Sequence, residues 1–315
     1  MKFFARVPNI DFMAQRKVGL IVSSVLTAAS ILLVLFRGLN LGIDFSGGVL
    51  VEVVYPQTVQ LDTVRSALEQ GGYPRAIVQY FGGTSDVLIR LPPAENASTA
   101  QVSGEVLKAL GATDACEDGA TQPCKRRIEF VGPQVGEELT SQGGTAMLMA
   151  FIGIMIYIAF RFEWKFAVGA IAALIHDALM VVGFLSVTQV EFDLTTLAAI
   201  LALIGYSNNE TIVIFDRVRE NFRELRREGT LEVVNLSVNQ TLLRSVITHL
   251  TTLLVLTALF FLGGHSVHSF AIALMVGVVV ATYSSIYVST GLAVAMGVSR
   301  EDLLPPKQEE IDDLP

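Results

Sequence analysis

Six apolar stretches dominate this chain, and each is close to the roughly 20 helical residues that cross a lipid bilayer. They cover residues 18–36, 142–160, 166–187, 194–215, 244–262 and 269–295. Hydrophobic residues make up 52% of the sequence and charged residues 17%, a composition typical of membrane proteins. We therefore predict a membrane protein built as a six-helix transmembrane α bundle.

The first stretch, residues 18–36, is longer than the apolar core of a signal peptide, and no small-residue cleavage site follows it. We expect it to remain as an anchor, with the mature protein beginning near Met1.

Lysine and arginine residues flank the predicted helices on one side. If the six helices alternate in direction, that side carries Lys2, Arg6, Arg16, Lys17, Arg161, Lys165, Arg217, Arg219, Arg223, Arg226, Arg227, Arg300 and Lys307. Because such residues are enriched in cytoplasmic segments, we expect a cytoplasmic N-terminus at 1–17 and a cytoplasmic tail at 297–315. The net charge of −8 gives little support for nucleic acid as a partner.

The one long loop, residues 37–141, is predicted to be an exported α+β domain. Strand-like runs and helical spacing alternate at 49–55, 61–70, 76–81, 87–91, 100–110 and 127–131, with Gly82-Gly83 marking a hairpin. The order βαββαβ predicts a ferredoxin-like fold, which names no function by itself.

Two cysteines, Cys116 and Cys124, lie before the last predicted strand of that domain. An oxidising compartment favours a disulfide between them, and two free thiols are the alternative. A zinc site is the weaker interpretation, since no histidine partners lie nearby.

Glu210 is the most informative single residue. It belongs to a polar run, residues 207–211, inside the apolar stretch 194–215. A charge near the centre of a membrane helix costs about 2.5 to 3.5 kcal/mol on insertion scales and is usually functional. We interpret Glu210 as facing the bundle interior and carrying a proton. The alternative is a static ion pair that ties two helices together.

The sequence contains no phosphate loop, nucleophile elbow or metal-ligand cluster. We therefore expect neither enzymatic activity nor a cofactor, and no energy from nucleotide hydrolysis in this chain.

Three motifs carry a family resemblance. They are residues 42–48 (with Gly42, Asp44, Gly47 and Gly48), residues 131–139, and residues 216–221 (with Asp216 and Arg217). Together with the six-helix plan, they resemble the SecD/SecF family of protein translocase accessory subunits, within the resistance-nodulation-division superfamily. The resemblance spans nearly the whole chain.

That resemblance implies a SecF-like subunit of a SecDF complex in the bacterial inner membrane, with its first loop in the periplasm. It implies use of the proton-motive force in a late step of protein translocation. The implied partners are a SecD-like subunit, the SecYEG translocon, an emerging unfolded secretory protein and membrane lipid, with YajC and YidC as further candidates. H⁺ is the expected coupling ion, and Na⁺ is the alternative.

The residues around Glu210 suggest a relay. Arg244, placed at the start of the fifth helix, is the expected partner of the ionised carboxylate, and an arginine there also matches the family pattern. Asn209 is expected to orient Glu210. Asp177, beside His176, is either a second relay carboxylate or a hydrogen-bonded structural residue. The family usually has aspartate where this chain has Glu210, which changes the reach by one methylene.

Residues 216–228 are predicted as a cytoplasmic helix, lying along the membrane surface or presenting a solvated face. Two rival functions remain open: a proton-coupled exporter of a small molecule or lipid, and an unpowered scaffold for translocon assembly.

Overall fold

The computed structural model describes residues 8–81, 83–92, 99–116, 121–264 and 267–303. Residues 1–7 of the predicted N-terminal segment, the hairpin residue Gly82 and residues 304–315 of the predicted tail lie outside this range. In chain order the elements are α1 (Arg16–Arg37), α2 (Ile43–Ser46), β1 (Gly48–Val54), α3 (Leu61–Gln70), β2 (Ile77–Phe81), β3 (Gly83–Leu91), α4 (Thr99–Leu110), β4 (Cys124–Val131), α5 (Pro133–Arg161), α6 (Trp164–Thr188), α7 (Leu194–Glu224), α8 (Thr230–Leu262), α9 (His268–Ser284) and α10 (Thr290–Ala295).

Six helical spans in the described chain are long and apolar enough to cross a membrane, which confirms the predicted number. They are Met13–Arg37, Gln134–Arg161, Trp164–Thr188, Leu194–Glu224, Thr230–Leu262 and His268–Ala295. A π-helical turn, Ser285–Ser289, joins α9 to α10 within the last span. The first loop and the sheet it contains lie at one end of the bundle, here called the domain end; the other end is called the opposite end.

The helices divide into a central set and a peripheral set. In α6, α7 and the α9–α10 span, 56% of the apolar window is buried, against 11–17% in the other three spans. Close contacts hold the centre together: a Cβ added to Gly277 of α9 would lie 2.5 Å from Leu203 Cδ2 of α7. The peripheral helices α1, α5 and α8 therefore expose long apolar faces.

The separate surface helix predicted at 216–228 is wrong. α7 runs without a break to Glu224, and its last turns bury Val218 and Phe222 against Val233 and Val234 at the start of α8. Apolar content falls where this part of the helix becomes charged, but its inward face is still covered. α8 likewise begins at Thr230, well before the predicted start at 244, because its first turns are partly polar but still bury Val233 and Val234.

The first loop forms a four-stranded antiparallel sheet in the order β2-β3-β1-β4. Val51 of β1 pairs with Ile89 of β3 on one side and with Ile128 of β4 on the other. Val64 of α3 and Val106 of α4 join the valine-rich core on one face of this sheet. The predicted sequence of strands and helices is therefore present.

The other face of the sheet turns toward the bundle. Leu50 and Leu88 lie on it and pack with Ile43 of α2, the one-turn helix that follows α1. α2 also packs against α5. The sheet is thus joined to the bundle by packing as well as by the chain itself.

Cys116 and Cys124 form a disulfide. Backbone hydrogen bonds from Thr113 N to Pro123 O (2.8 Å) and from Lys125 N to Thr113 O (2.9 Å) hold the same segment beside the start of β4. The disulfide therefore fastens the loop between α4 and β4 to the sheet.

Gly48 can be used to test how closely the start of β1 packs against the end of β3. Its φ is +124°, and a Cβ there would lie 2.3 Å from Leu91 O. We expect Gly48→Ala to destabilise the sheet by on the order of 3 kcal/mol, because it combines backbone strain with a clash. Hydrogen exchange of β1 and β3 amides in the full chain measures this loss.

Gly104→Ala is the matched control. Gly104 lies in α4, and no atom lies within 4 Å of its added Cβ. Alanine should stabilise the helix by up to about 1 kcal/mol. Equal exchange rates in the two variants would contradict the close packing of β1 against β3 at Gly48.

Candidate functional site

Glu210 lies inside the bundle, as predicted, on the buried face of α7. Its side chain is 9% exposed. Ser245 Oγ of α8 donates a hydrogen bond to Glu210 Oε1, and His249 Nε2 lies 3.7 Å from Oε2. Ser207 lies one turn earlier on the same face. The polar run 207–211 is continuous helix. The carboxylate is therefore held between α7 and α8 by neighbours that are polar but carry no fixed positive charge.

Arg244 does not bind this carboxylate, and the predicted direct ion pair is wrong. Its side chain is exposed and lines a cleft of about 560 Å³ between α7 and α8, with Asp216, Arg217 and Thr241. Neighbouring residues on a helix point in different directions, so Ser245, not Arg244, faces Glu210. The cleft opens toward the opposite end, and Thr241 lies one helical turn from Ser245.

Asn209 does not orient Glu210 either, so that prediction is also wrong. Its side chain is exposed, because consecutive helix residues do not share a face. Asn208 is the buried amide, and its Oδ1 has no hydrogen-bond partner among the described residues.

Asp177 of α6 is 1% exposed and fully engaged in hydrogen bonds. Its Oδ2 accepts from Ser207 Oγ of α7 (2.6 Å) and Ser284 Oγ of α9 (2.8 Å), and its Oδ1 lies 3.0 Å from His176 Nδ1. This carboxylate joins three central helices. Ser207 precedes Glu210 by one turn of α7, so Asp177 of α6 contacts through Ser207 the same helix that carries Glu210.

The sequence reasoning missed Ser245 and His249. On α8 the small polar or titratable residues Thr241, Ser245, His249 and Thr252 recur at spacings of four, four and three. That spacing places them on one helical face. A search for polar residues at helical spacing within apolar stretches could have found them.

A local irregularity follows Ser284. The π-helical turn Ser285–Ser289 begins at the next residue, and all four of Ser285, Ile286, Val288 and Ser289 are buried. Such turns are frequent at functional sites. Here the irregularity adjoins the cluster around Asp177.

The glycine motif at 42–48 binds the domain end of α7. Gly42 N donates to Phe192 O (2.8 Å), and Asp44 Oδ2 accepts from Leu194 N (3.0 Å) at the first residue of α7. A Cβ on Gly42 would lie 2.9 Å from Glu191 Oε1. Asp44 of the family-like motif thus links α2 to the helix that carries Glu210.

A buried ion pair completes this junction. Arg90 Nη2 of β3 lies 2.6 Å from Glu191 Oε2 in the loop before α7, and the two side chains are 8% and 11% exposed. Burial raises the pKa of Glu191 above its ordinary value, and the nearby carboxylates of Asp193 and Asp44 raise it further, although Arg90 lowers it. The sequence signal was a single arginine within the apolar run 87–91.

At the other end of α7, Asp216 and Arg217 form polar contacts. Asp216 Oδ1 accepts from Arg161 Nη2 of α5 (2.9 Å), while Arg217 donates to Gln240 of α8 and Glu220. The motif at 42–48 therefore contacts the start of α7, and the motif at 216–221 lies toward its other end. Glu210 lies between them, about 24 Å from the start of α7 at 1.5 Å per residue.

Two family models match this chain. "Protein export membrane protein SecD/SecF, C-terminal" matches residues 112–299, and "SecD/SecF GG Motif" matches residues 32–59. This chain belongs to the SecD/SecF family. The second SecD/SecF match contains the glycine motif that binds the start of α7, so the resemblance drawn from the sequence is confirmed.

Relatives within the SecD/SecF family match over almost their full length. The protein translocase subunit SecF of Pseudomonas aeruginosa is 47% identical over 98% of this chain and 99% of the relative. The Vibrio alginolyticus subunit SecF is 44% identical over 98% and 97%. A crystal structure of SecDF from Thermus, described as a translocon-associated membrane protein, superposes with a TM-score of 0.81 at 38% identity. It covers 92% of this chain, which spans 39% of that SecDF chain.

The buried Arg90–Glu191 pair can be tested by a double-mutant cycle. We expect Arg90→Met and Glu191→Leu each to destabilise the full chain by about 3 kcal/mol, because each leaves a buried partner uncompensated. The double variant Arg90→Met/Glu191→Leu should recover most of that loss. Unfolding in detergent is the measurement.

The exposed pair Arg65–Asp62 on α3 provides the control. Its side chains are 47% and 90% exposed, so Arg65→Met should cost no more than about 1 kcal/mol. If Arg90→Met were as mild as Arg65→Met, the pair would not be an important link between the sheet and the bundle.

Proposed function

We propose that this chain is a SecF-like subunit of a SecDF complex, which uses the proton-motive force to promote a late step of protein translocation through SecYEG. The observation that carries the proposal is the buried Glu210 carboxylate on α7, a helix whose first residue is bound by the glycine motif of the sheet domain. A titrating group and a movable domain are thus connected by one helix.

The proton cycle begins with the contacts of Glu210. In its ionised form the carboxylate accepts from Ser245 and attracts the His249 ring. A proton on Glu210 removes its charge and weakens both interactions, so the α7–α8 packing changes between two states. The membrane potential supplies about 2.3 kcal/mol per charge per 100 mV to bias them.

Movement of α7 reaches the sheet through two links. Asp44 binds the backbone at Leu194, and Arg90 binds Glu191 just before it. The output of the cycle is a displacement of the sheet domain, which holds an emerging unfolded secretory chain and hinders its return.

The topology of the proposal follows the charges and the strand order. The strand order β4-β1-β3-β2, antiparallel with two helices on one face, supports a ferredoxin-like domain, placed in the periplasm. The arginines at the opposite end of α7 support cytoplasmic termini in a bacterial inner membrane, with lipid head groups nearby.

The proposed partners follow from the family and the exposed helices. A SecD-like subunit would cover part of the apolar faces of α1, α5 and α8, and SecYEG, YajC and YidC would complete the assembly. We propose H⁺ as the coupling ion, with Na⁺ as the alternative, and neither a cofactor nor enzymatic activity in this chain.

Glu210→Gln tests the proposal. We expect export of a slowly translocated secretory protein to fall toward that of cells lacking this subunit, and to lose its response to the proton gradient, because the amide cannot titrate. Pulse-chase export in cells that also express the SecD-like subunit measures both effects.

Glu210→Asp is the matched control, since it keeps a titratable carboxylate and shortens its reach. It should retain gradient-dependent export at a reduced rate. Assembly with the partner is checked by co-purification for both variants. Normal export with Glu210→Gln would exclude the carboxylate from the motor and favour an unpowered scaffold.

A further inference from the structure

His249 lies beside Glu210, buried, and its ring makes contacts through both nitrogens. The side chain is 6% exposed. Nδ1 lies 2.6 Å from Thr282 Oγ1 of α9, and Nε2 lies 3.7 Å from Glu210 Oε2. The Tyr206 ring of α7 lies 5.4 Å from the imidazole, centroid to centroid. The ring therefore bridges α7, α8 and α9 at the level of the buried carboxylate.

One hydroxyl decides which nitrogen of the ring carries hydrogen. Thr282 Oγ1 has a single proton and two acceptors in reach, Val278 O at 2.9 Å and His249 Nδ1. When that proton goes to Nδ1, Nε2 carries the ring hydrogen and faces the Glu210 carboxylate at 3.7 Å, just beyond hydrogen-bond distance.

When the Thr282 proton goes to Val278 O, His249 Nδ1 must carry hydrogen and donate to Thr282. A neutral ring then turns a bare Nε2 toward a carboxylate, and two buried acceptors would face each other. One additional proton between them removes the conflict. Rotation of a single hydroxyl therefore lets the site exist with or without that proton.

Few other titratable groups lie around the His249–Glu210 pair. From α7 the titratable groups facing it are Glu210 and Tyr206, and from α9 the contact is the Thr282 hydroxyl. On α8 Arg244 is exposed in the cleft. No lysine or arginine of the described helices α6–α9 forms an ion pair with Glu210 or His249, and Asp177 is held by its own partners.

The two groups are also ordered along the bundle. α8 runs from the opposite end to the domain end, so His249 lies about 6 Å nearer the domain end than Ser245. Thr241 and the cleft lie on the other side of Ser245. In the proposed cycle, a proton entering from the domain end would reach the level of His249 before that of Ser245, the other partner of Glu210.

We propose that His249 is a second proton-binding group of this site, taking up the entering proton and passing it to Glu210. The proton adds to Nε2, giving an imidazolium whose two N–H groups face Thr282 and Glu210. In the transfer the Nε2–H bond breaks and an Oε2–H bond forms, leaving a neutral ring and a neutral acid. Release toward the cleft restores the carboxylate. The direction of transfer rests on the proposed function; the shared proton does not.

Linked titration tests the shared proton. The full chain with its SecD-like partner, labelled with ¹⁵N-histidine and reconstituted in lipid bilayers, is followed by solid-state NMR from about pH 5 to 9. The four histidines are separated by the signal that His249→Gln removes. Infrared difference spectra follow the Glu210 carboxyl band, identified with Glu210→Gln.

The expected result is one common step for the His249 nitrogens and the Glu210 band, as for strongly interacting sites. Glu210→Gln should displace the His249 step by about one pH unit or more. His249 signals that stay constant over the range, or that titrate identically with Glu210→Gln, would overturn the inference.

Export provides the second measurement. His249→Gln should lose the gradient-dependent part of export. His268→Gln, the same change on a ring that stacks 4.2 Å from Phe260 near the domain end, should keep it. Impaired export with Glu210→Gln but an unlinked His249 overturns this inference alone. Normal export with Glu210→Gln beside a linked titration overturns the proposed function and leaves the shared proton established.

Discussion

The arrangement depends on one electrostatic constraint, which is that a carboxylate inside an apolar bundle must have polar neighbours in both of its protonation states. Glu210 meets this constraint with a hydroxyl from Ser245 and an imidazole from His249, and neither carries a fixed charge. A buried arginine would hold the carboxylate ionised far more firmly. Neighbours of this kind are consistent with the proposed proton-carrying role of Glu210. Asp177, saturated by three donors, is by contrast a fixed point of the bundle.

α7 makes polar contacts with other parts of the chain along its whole length. Its first residue receives the Asp44 side chain, the loop before it receives Arg90, its middle presents Glu210, and its last turns engage α5 and α8 through Asp216 and Arg217. Other helix pairs combine polar contacts, such as Tyr283 of α9 donating to Gly19 O of α1, with apolar packing, as at Gly277 and Leu203. α7 is therefore the helix that connects the glycine motif, Glu210 and the contacts with α5 and α8.

Much of this could be predicted from sequence because the governing signals are local. Apolar runs fix the number of spans, alternation and glycines fix the order of strands, and the cost of burying charge singles out Glu210. The partner of Glu210 could not be predicted in the same way. The choice between Arg244 and Ser245 depends on where α8 begins and on its rotation, and the polar residues in the first turns of α8 hid its true start at Thr230. Arg90 and Glu191 are far apart in sequence, so only the packing of sheet on bundle reveals them.

The unbroken length of α7 has a consequence for the efficiency of energy conversion. A helix with a hinge between Glu210 and its ends could absorb a local shift and dissipate it as bending. α7 has no proline, and its hydrogen-bonded backbone continues through the polar run to Glu224. In the proposed cycle, an axial shift of α7 at Glu210 would therefore reach the glycine motif and the cleft together. Under the proposed function, each proton taken up at Glu210 would then produce one displacement of the sheet domain.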